Sequence, residues 1–417
     1  MMTAGTVIVG AGQAGFQAAA SLREHGYQEA IVLVGDEGVA PYQRPPLSKA
    51  YLLGEMSGER LLLRPLSYYE KHAIELVLGD RVTSIDRAAG RVMRSSGAAL
   101  PFDHLILALG ARNRPLPVEG AELDGVHYLR SQKESDLIRA SMDGAQNIVV
   151  VGAGFIGLEI AAVASKLGKR VTVLEALPRV MSRAVTRPVS DFYAQAHRGW
   201  GSELLLEARL ARIDGAGGRV TGVTLADGRK HGADLVLAGI GIVPNVELAQ
   251  ATGLAVANGI VVDRRLATAD PRISAIGDCA AFPDPASGAT IRLESVQNAA
   301  DQGRAVARRI AGHAEDYGAV PWFWSDQRDL KLQMVGLTAA CDRAVLRGDP
   351  ASRAFSVFCF HGEKLIGIES VNRAADHMFG RRLLGAGQTI APDQAADLGF
   401  DLKARLAQLP PPVRQPG

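Results

Sequence analysis

An α/β fold is predicted, made of two copies of one strand–helix–strand unit with one copy inserted in the other, and a C-terminal α+β domain behind them. Three observations predict it. Residues 6–15 read TVIVGAGQAG and residues 148–157 read IVVVGAGFIG, so a β-branched run ends twice in G-x-G-x-x-G. Each copy continues into an alanine-rich stretch of helical character, 13–25 and 155–167, and then into a second apolar run ending near an acid, IVLVGDE with Asp36 and RVTVLE with Glu175. Two later strand exits, ALGARNRP and AGIGIVPN, resemble each other, as expected where a chain crosses out of a domain and back.

Each copy is a complete Rossmann-like dinucleotide fingerprint. The first glycine, Gly10 or Gly152, allows the tight turn. The second, Gly12 or Gly154, lets the backbone approach a pyrophosphate, and the third, Gly15 or Gly157, lets helix pack on strand. The phosphates then rest on unpaired N–H groups at a helix N-terminus. Asp36 and Glu175 are positioned to accept hydrogen bonds from a ribose. A carboxylate at Glu175 favours the 2′-hydroxyl of NADH and repels the 2′-phosphate of NADPH, although Arg170 and Arg179 lie near it in sequence. Two dinucleotides in one chain imply electron passage between them.

The remaining elements follow in order. After Asp36 comes a Pro- and Gly-rich loop, GDEGVAPYQRPPLSKAYLLGE, and a strand-like stretch near 74–95. The strand in FDHLILALGARNRP closes the first part of domain one, and DLVLAGIGIVPN closes the inserted unit. PRISAIGDCAAF and the helix-like 296–312 return to domain one. From Pro321 onward, alternating segments such as LKLQMVGL and AFSVFCFHG read as strands, with a helix around 373–385 and a disordered tail PPPVRQPG. The expected domains are therefore 1–112 with 243–320, 113–242, and 321–417.

Bulk properties narrow the classes. The 417 residues are 47% hydrophobic and 22% charged, with net charge +2, which excludes an overall nucleic-acid footprint. Three scattered cysteines, Cys279, Cys341 and Cys359, form no disulfide framework and suit a reducing cytoplasm. No signal peptide is read before the strand at Thr6. The apolar stretch Ile148–Ala164 is too short for a membrane span and contains Glu159. No metal site is expected.

The motifs V-I-V-G-A-G, R-P-P-L-S-K, A-L-G-A-R-x-R-P, V-V-G-A-G-F-I-G-L-E, I-G-I-V-P-N, I-G-D-C, E-S-V-Q-N-A and P-W-F-W-S-D-Q together resemble the FAD-dependent ferredoxin reductases of bacterial oxygenase systems, within the glutathione-reductase-like superfamily. The resemblance implies an NADH-dependent flavoenzyme that reduces a 2Fe–2S ferredoxin serving an oxygenase or cytochrome monooxygenase. It assigns Gly10, Gly12, Ala14, Gly15 and Asp36 to the FAD pyrophosphate and ribose, with Lys49, Val82, Arg130, Asp278 and Val296 lining the rest of the flavin site. Gly152, Gly154, Phe155, Ile156, Gly157, Glu159 and Glu175 fall to NADH. Lys49 and Glu159 are implied to pair near the flavin, where a cation stabilises the anionic reduced ring. Trp324, with Trp322, is implied to lie beside the flavin on the ferredoxin side.

Several alternatives stay open. Asp278 also fits a helix-capping aspartate, and Cys279 reads as a small buried thiol. No cysteine precedes 279, which argues against disulfide-reductase chemistry. Arg64, Arg304, Lys331 and Arg381 are candidates for a basic docking face toward an acidic ferredoxin. Rubredoxin reductase, NADH oxidase and a slow redox-sensing flavoprotein are the rival functions. A monomer or weak dimer is expected.

Overall fold

The computed structural model describes residues 5–313 and 315–409; the tail expected to be disordered lies outside them. The chain forms two compact units. The first comprises the described parts of Met1–Arg44, Ser57–Arg112 and Ile242–Ala319, and the second those of Pro45–Met56, Asn113–Gly241 and Val320–Gly417.

In the first unit the strand Thr6–Val9 is buried along its whole length, as a β-branched run covered on both faces must be. It is the middle strand of a parallel sheet ordered Ile273–Ala275, His104–Leu107, Thr6–Val9, Ile31–Gly35, Ile74–Leu78. Helix Gln13–Glu24 buries Ala14, Phe16, Ala18, Ala19, Ala20 and Leu22. Helix Val296–Ile310 lies so close to it that a Cβ on Gly303 would meet the Ala14 carbonyl oxygen at 2.9 Å. The stretch expected as strand near 74–95 divides into Ile74–Leu78, Val82–Asp86 and Arg91–Arg94, the last two joining a small antiparallel sheet with Ala99–Pro101.

The second unit repeats the design. Its parallel sheet is ordered Glu203–Leu205, Arg170–Leu174, Asn147–Val151, Leu235–Ala238, Val126–Tyr128. Helix Phe155–Lys166 follows the second fingerprint. Residues 320–409 build a five-stranded antiparallel sheet ordered Trp322–Gln327, Leu330–Gly336, Lys364–Val371, Ala354–His361, Arg343–Asp349. Helix Ala374–Gly385 covers one face, close enough that a Cβ on Gly380 would lie 2.7 Å from Val335.

Two segments pack across the linear division. The antiparallel domain shares one core with the dinucleotide unit, in which Ile138, Val150, Leu158 and Tyr193 pack with Leu330, Leu332 and Phe355. Phe192 meets Phe355 edge-on at 4.9 Å. Residues 45–56, expected with the first domain, also join the second unit: Leu52 lies in that core, and Ser135 donates to the Leu47 carbonyl at 2.8 Å. Apolar burial, which is blind to sequence order, draws both segments onto that core.

Candidate functional site

Both fingerprints show the same division of labour among their glycines. Gly10 has φ +114°, and a Cβ there would lie 2.1 Å from the Ala108 carbonyl oxygen; Gly152 has φ +100°, with Gly239 oxygen at 2.4 Å. The third glycines, Gly15 and Gly157, would place a Cβ 2.0 and 2.1 Å from the carbonyl oxygens of Gly10 and Gly152. At Gly12 and Gly154 a Cβ would meet no protein atom within 4 Å. These two glycines are the N-caps of the 12-residue helices, and no side chain caps either end. Each turn therefore has open space directly before uncapped N–H groups, which fits a pyrophosphate.

The acids are held differently in the two copies. The Glu175 carboxylate accepts the Ala153 N–H at 2.8 Å and the Leu177 N–H at 2.9 Å, so it reaches back onto the glycine turn. Gly10 N–H bonds Val34 and Gly152 N–H bonds Leu174, which makes Gly35 the register equivalent of Glu175. A Cβ at Gly35 would lie 2.6 Å from the Ala11 Cβ. The acid of the first copy is displaced by one residue: Asp36 is exposed and pairs with Arg81 at 2.8 Å. Glu37 accepts from Tyr42 and Arg44, both at 2.6 Å. Burial acts to lower the Arg44 guanidinium, and Tyr42, Glu37 and Asp278 outweigh it and raise it.

Asp278 stands in the short 3-10 turn Gly277–Cys279. Gly277 has φ +76°, its N–H donates to Gln302 at 2.7 Å, and a Cβ on it would be 3.1 Å from the Ala14 Cβ. The turn and the first fingerprint helix thus converge. Val296 begins its helix behind Ser295, whose hydroxyl accepts the Asn298 N–H at 3.1 Å. The Val82 side chain is buried in the core of the first unit, at the start of a strand that pairs with Arg91–Arg94. Lys49 and Arg130, expected with the same flavin set, fall in the second unit. Arg130 donates its main-chain N–H to Glu134 at 2.7 Å, just before the helix Gln132–Gly144.

Within the second unit, Glu159 and Lys49 meet. Glu159 is 3% exposed, and its Oε2 lies 2.5 Å from Lys49 Nζ. Ser48 donates to the same oxygen at 2.5 Å, and Ser325 donates to Oε1 at 2.7 Å. The lysine is raised into this position by the 3-10 turn Pro45–Ser48, whose proline pair presets the backbone. Phe155 stacks obliquely on Phe323 at 4.5 Å, and Ile156 is 44% exposed on the first helical turn. Trp324 is half-buried on the strand face shared with Trp322, 5.7 Å away. Sequence reasoning passed over Arg44, Ser48, Ser325 and Gln327, although all four lie inside the two most distinctive motifs.

The remaining candidates are local. Cys279 is fully buried, donates to the Ile276 carbonyl at 3.3 Å, and is pushed up to about 11 by burial. Arg304 pairs with Asp301 at 2.9 Å, Arg381 lies 4.5 Å over the Trp322 ring, and Arg64 lies over Tyr68. Lys331 is exposed. Among the described residues, no helix is long and apolar enough to cross a membrane.

Known proteins share this architecture and nearly the full length. The family described as pyridine nucleotide-disulphide oxidoreductase matches residues 5–303, and the family described as reductase C-terminal matches 322–406. Rhodocoxin reductase of Rhodococcus erythropolis is 52% identical over 402 residues, 96% of this chain and 94% of that protein. The crystal structure of a ferredoxin reductase from Rhodopseudomonas palustris superposes with a TM-score of 0.95 at 52% identity, covering 96% of this chain and 99% of the other. Putidaredoxin reductase, solved in a covalent complex with putidaredoxin, gives a TM-score of 0.94 at 40% identity over 98% of this chain and 99% of its own. FAD and NAD(H) are the cofactors of this family, and both glycine turns have the shape to take them. The chain belongs to the pyridine nucleotide-disulphide oxidoreductases, as an oxidoreductase of their ferredoxin-reductase group.

Proposed function

We propose that this protein passes electrons from NADH through FAD to a 2Fe–2S ferredoxin that serves an oxygenase or a cytochrome monooxygenase. The observation that carries the proposal is the pair of open second glycines, Gly12 and Gly154, each before an uncapped helix, one in each unit. The names of the relatives, reductases of rhodocoxin and of putidaredoxin, support a ferredoxin-type acceptor.

Bound FAD supplies a ring that takes two electrons from NADH and gives them up singly. The rest is the work of the chain's own residues. Gly10, Gly12, Ala14 and Gly15 would hold the FAD pyrophosphate and Asp36 its ribose, with Val82, Asp278 and the helix starting at Val296 lining the rest of the site. Gly152, Gly154, Phe155, Ile156 and Gly157 hold NADH, and Glu175 selects its 2′-hydroxyl. Lys49 and Arg130 present positive charge, and Glu159 keeps the Lys49 ammonium in place. Trp324 offers a flat aromatic surface beside the flavin. Rubredoxin reductases, at 40% identity over 88% of this chain, make rubredoxin the competing acceptor. The absence of an N-terminal cysteine disfavours an oxidase or disulfide reductase. We place the protein in the cytoplasm, as a monomer or weak dimer.

The test is NADH-driven cytochrome c reduction, with and without a panel of 2Fe–2S ferredoxins and a rubredoxin. Fast turnover that depends on a ferredoxin supports the reading. Turnover with rubredoxin alone, or oxygen consumption without any carrier, overturns it.

A further inference from the structure

The P-W-F-W-S-D-Q motif contributes more than its tryptophans. From the strand Trp322–Gln327, Ser325 and Gln327 point to the face that carries Glu159 and His197. All four are buried: Ser325 0%, Gln327 1%, His197 0% and Glu159 3% exposed. Their hydrogen bonds form one line, with His197 Nε2 2.8 Å from Gln327 Oε1, Gln327 Nε2 3.2 Å from Ser325 Oγ, and Ser325 Oγ 2.7 Å from Glu159 Oε1.

The direction of the line is fixed by donor chemistry. Gln327 Oε1 can only accept, so His197 must carry its proton on Nε2; Nδ1, correspondingly, has no partner. Burial holds His197 down to about 4, so the ring is neutral and has a single N–H to give. Gln327 Nε2 can only donate, which turns the Ser325 hydroxyl proton toward the carboxylate. Every bond therefore points its donor at Glu159, and such aligned bonds polarise one another. A carboxylate this buried is costly to ionise unless its oxygens are satisfied. Lys49 and Ser48 serve Oε2, and Ser325 serves Oε1.

We propose that Ser325, oriented by Gln327 and His197, is a positioning residue that keeps the Glu159 carboxylate turned toward Lys49, and so sets how well this pair supports reaction with NADH. This rests on the assignment of Lys49 and Glu159 to the nicotinamide end of the site. The other charged and titratable groups around Glu159 do not replace Ser325. Lys49 comes from the preceding turn, His197 and Tyr193 from helix Arg187–Gly199, Asp326 from the strand, and Arg328 and Asp329 from the turn beyond it. The Tyr193 phenol is raised by burial, with Asp326, Glu159 and Asp329 adding to the effect, and it stays neutral.

Ser325→Ala, Ser325→Thr and Gln327→Met are compared with the wild type in the flavin-loaded protein, after flavin content and melting temperature confirm folding. Flavin reduction by NADH is followed anaerobically by stopped flow across NADH concentration. For Ser325→Ala the limiting rate falls about ten-fold, one hydrogen bond's worth, while the Kd for NADH stays within about three-fold. Ser325→Thr restores the wild-type rate, and Gln327→Met lowers it by less. In parallel, the Glu159 carboxylate stretching bands are recorded by infrared difference against Glu159→Gln, with no NADH present. There Ser325→Ala moves the bands, because Oε1 loses its donor. Should wild type and Ser325→Ala share the same bands and the same limiting rate, the proposal is overturned. If NADH fails to reduce even the wild type, the functional assignment falls, while the infrared bands still decide the role of Ser325.

Discussion

Replacing Gly154 with alanine separates folding from nucleotide binding. The residue has φ −76° and ψ −177°, a region that alanine adopts without strain. A methyl there meets no protein atom within 4 Å. Two small effects on stability oppose each other. Alanine restricts the unfolded chain and stabilises by about 0.4–1 kcal/mol, and it is the poorer N-cap by about the same amount. The fold should therefore change by less than about 1 kcal/mol. NADH binding should not survive so well, because the methyl fills the space before the free N–H groups. Losing two charge-assisted bonds to the pyrophosphate, at about 1.5 kcal/mol each, weakens binding by about 3 kcal/mol, or about 100-fold. The assay is an anaerobic NADH titration of the flavin-loaded variant, with urea unfolding alongside. A Kd within about three-fold of the wild type would refute the reasoning. So would a cooperative loss of stability, since that would mean the space is not open. Gly157→Ala is the control: its Cβ would lie 2.1 Å from the Gly152 carbonyl oxygen, so it should damage the fold itself.

Gly12→Ala should mirror this result in the first unit, giving a folded protein that purifies without yellow colour; full flavin content would show that the turn does not hold FAD. Glu175→Ala should weaken NADH binding by about ten-fold, one hydrogen bond's worth, and relax discrimination against NADPH. An unchanged ratio of kcat/KM values for the two nucleotides would show the ribose contact to be misassigned. Cys341 is brought down to about 7 by the thiol of Cys359 donating to it. Iodoacetamide should therefore label Cys341 first, at a rate that rises as pH passes about 7, and peptide mapping that finds Cys279 labelled faster would contradict this. His197 is neutral in the fold, with its value lowered from 6.5 to about 4 by burial. The unfolded chain binds the extra proton in that window, so stability is lost as pH falls from about 6.5 toward 4. His197→Gln should flatten this part of the melting-temperature curve, and an equally steep curve would refute it.

The fold was legible where local chemistry dictates it. Gly10 and Gly152 need a backbone that only glycine adopts easily, and the buried β-branched runs before them leave no choice but a covered parallel strand. Glu175 could be placed because it lies at a fixed distance from its own turn. The same rule sets Asp36 one residue later, because Gly35 occupies the register position and the exposed acid follows it. That displacement is visible once VLVGDE is aligned with VTVLEA, since no side chain fits against Ala11. The surroundings of Glu159 were out of reach. Its partners Ser48 and Ser325 are 111 and 166 residues away, and no periodicity records contacts of that span. The union of residues 45–56 and 320–409 with the second unit is hidden for the same reason, being written in the packing of Leu52 and Phe355 and not in their neighbours.

The account's central claim is tested most directly by mixing protein reduced anaerobically with one equivalent of NADH against an oxidised 2Fe–2S ferredoxin, while flavin and cluster absorbance are recorded together. The account predicts that NADH bleaches the flavin and that the ferredoxin restores its colour while the cluster becomes reduced. A protein that binds no flavin, or one whose reduced flavin is left bleached by every ferredoxin offered, would contradict it.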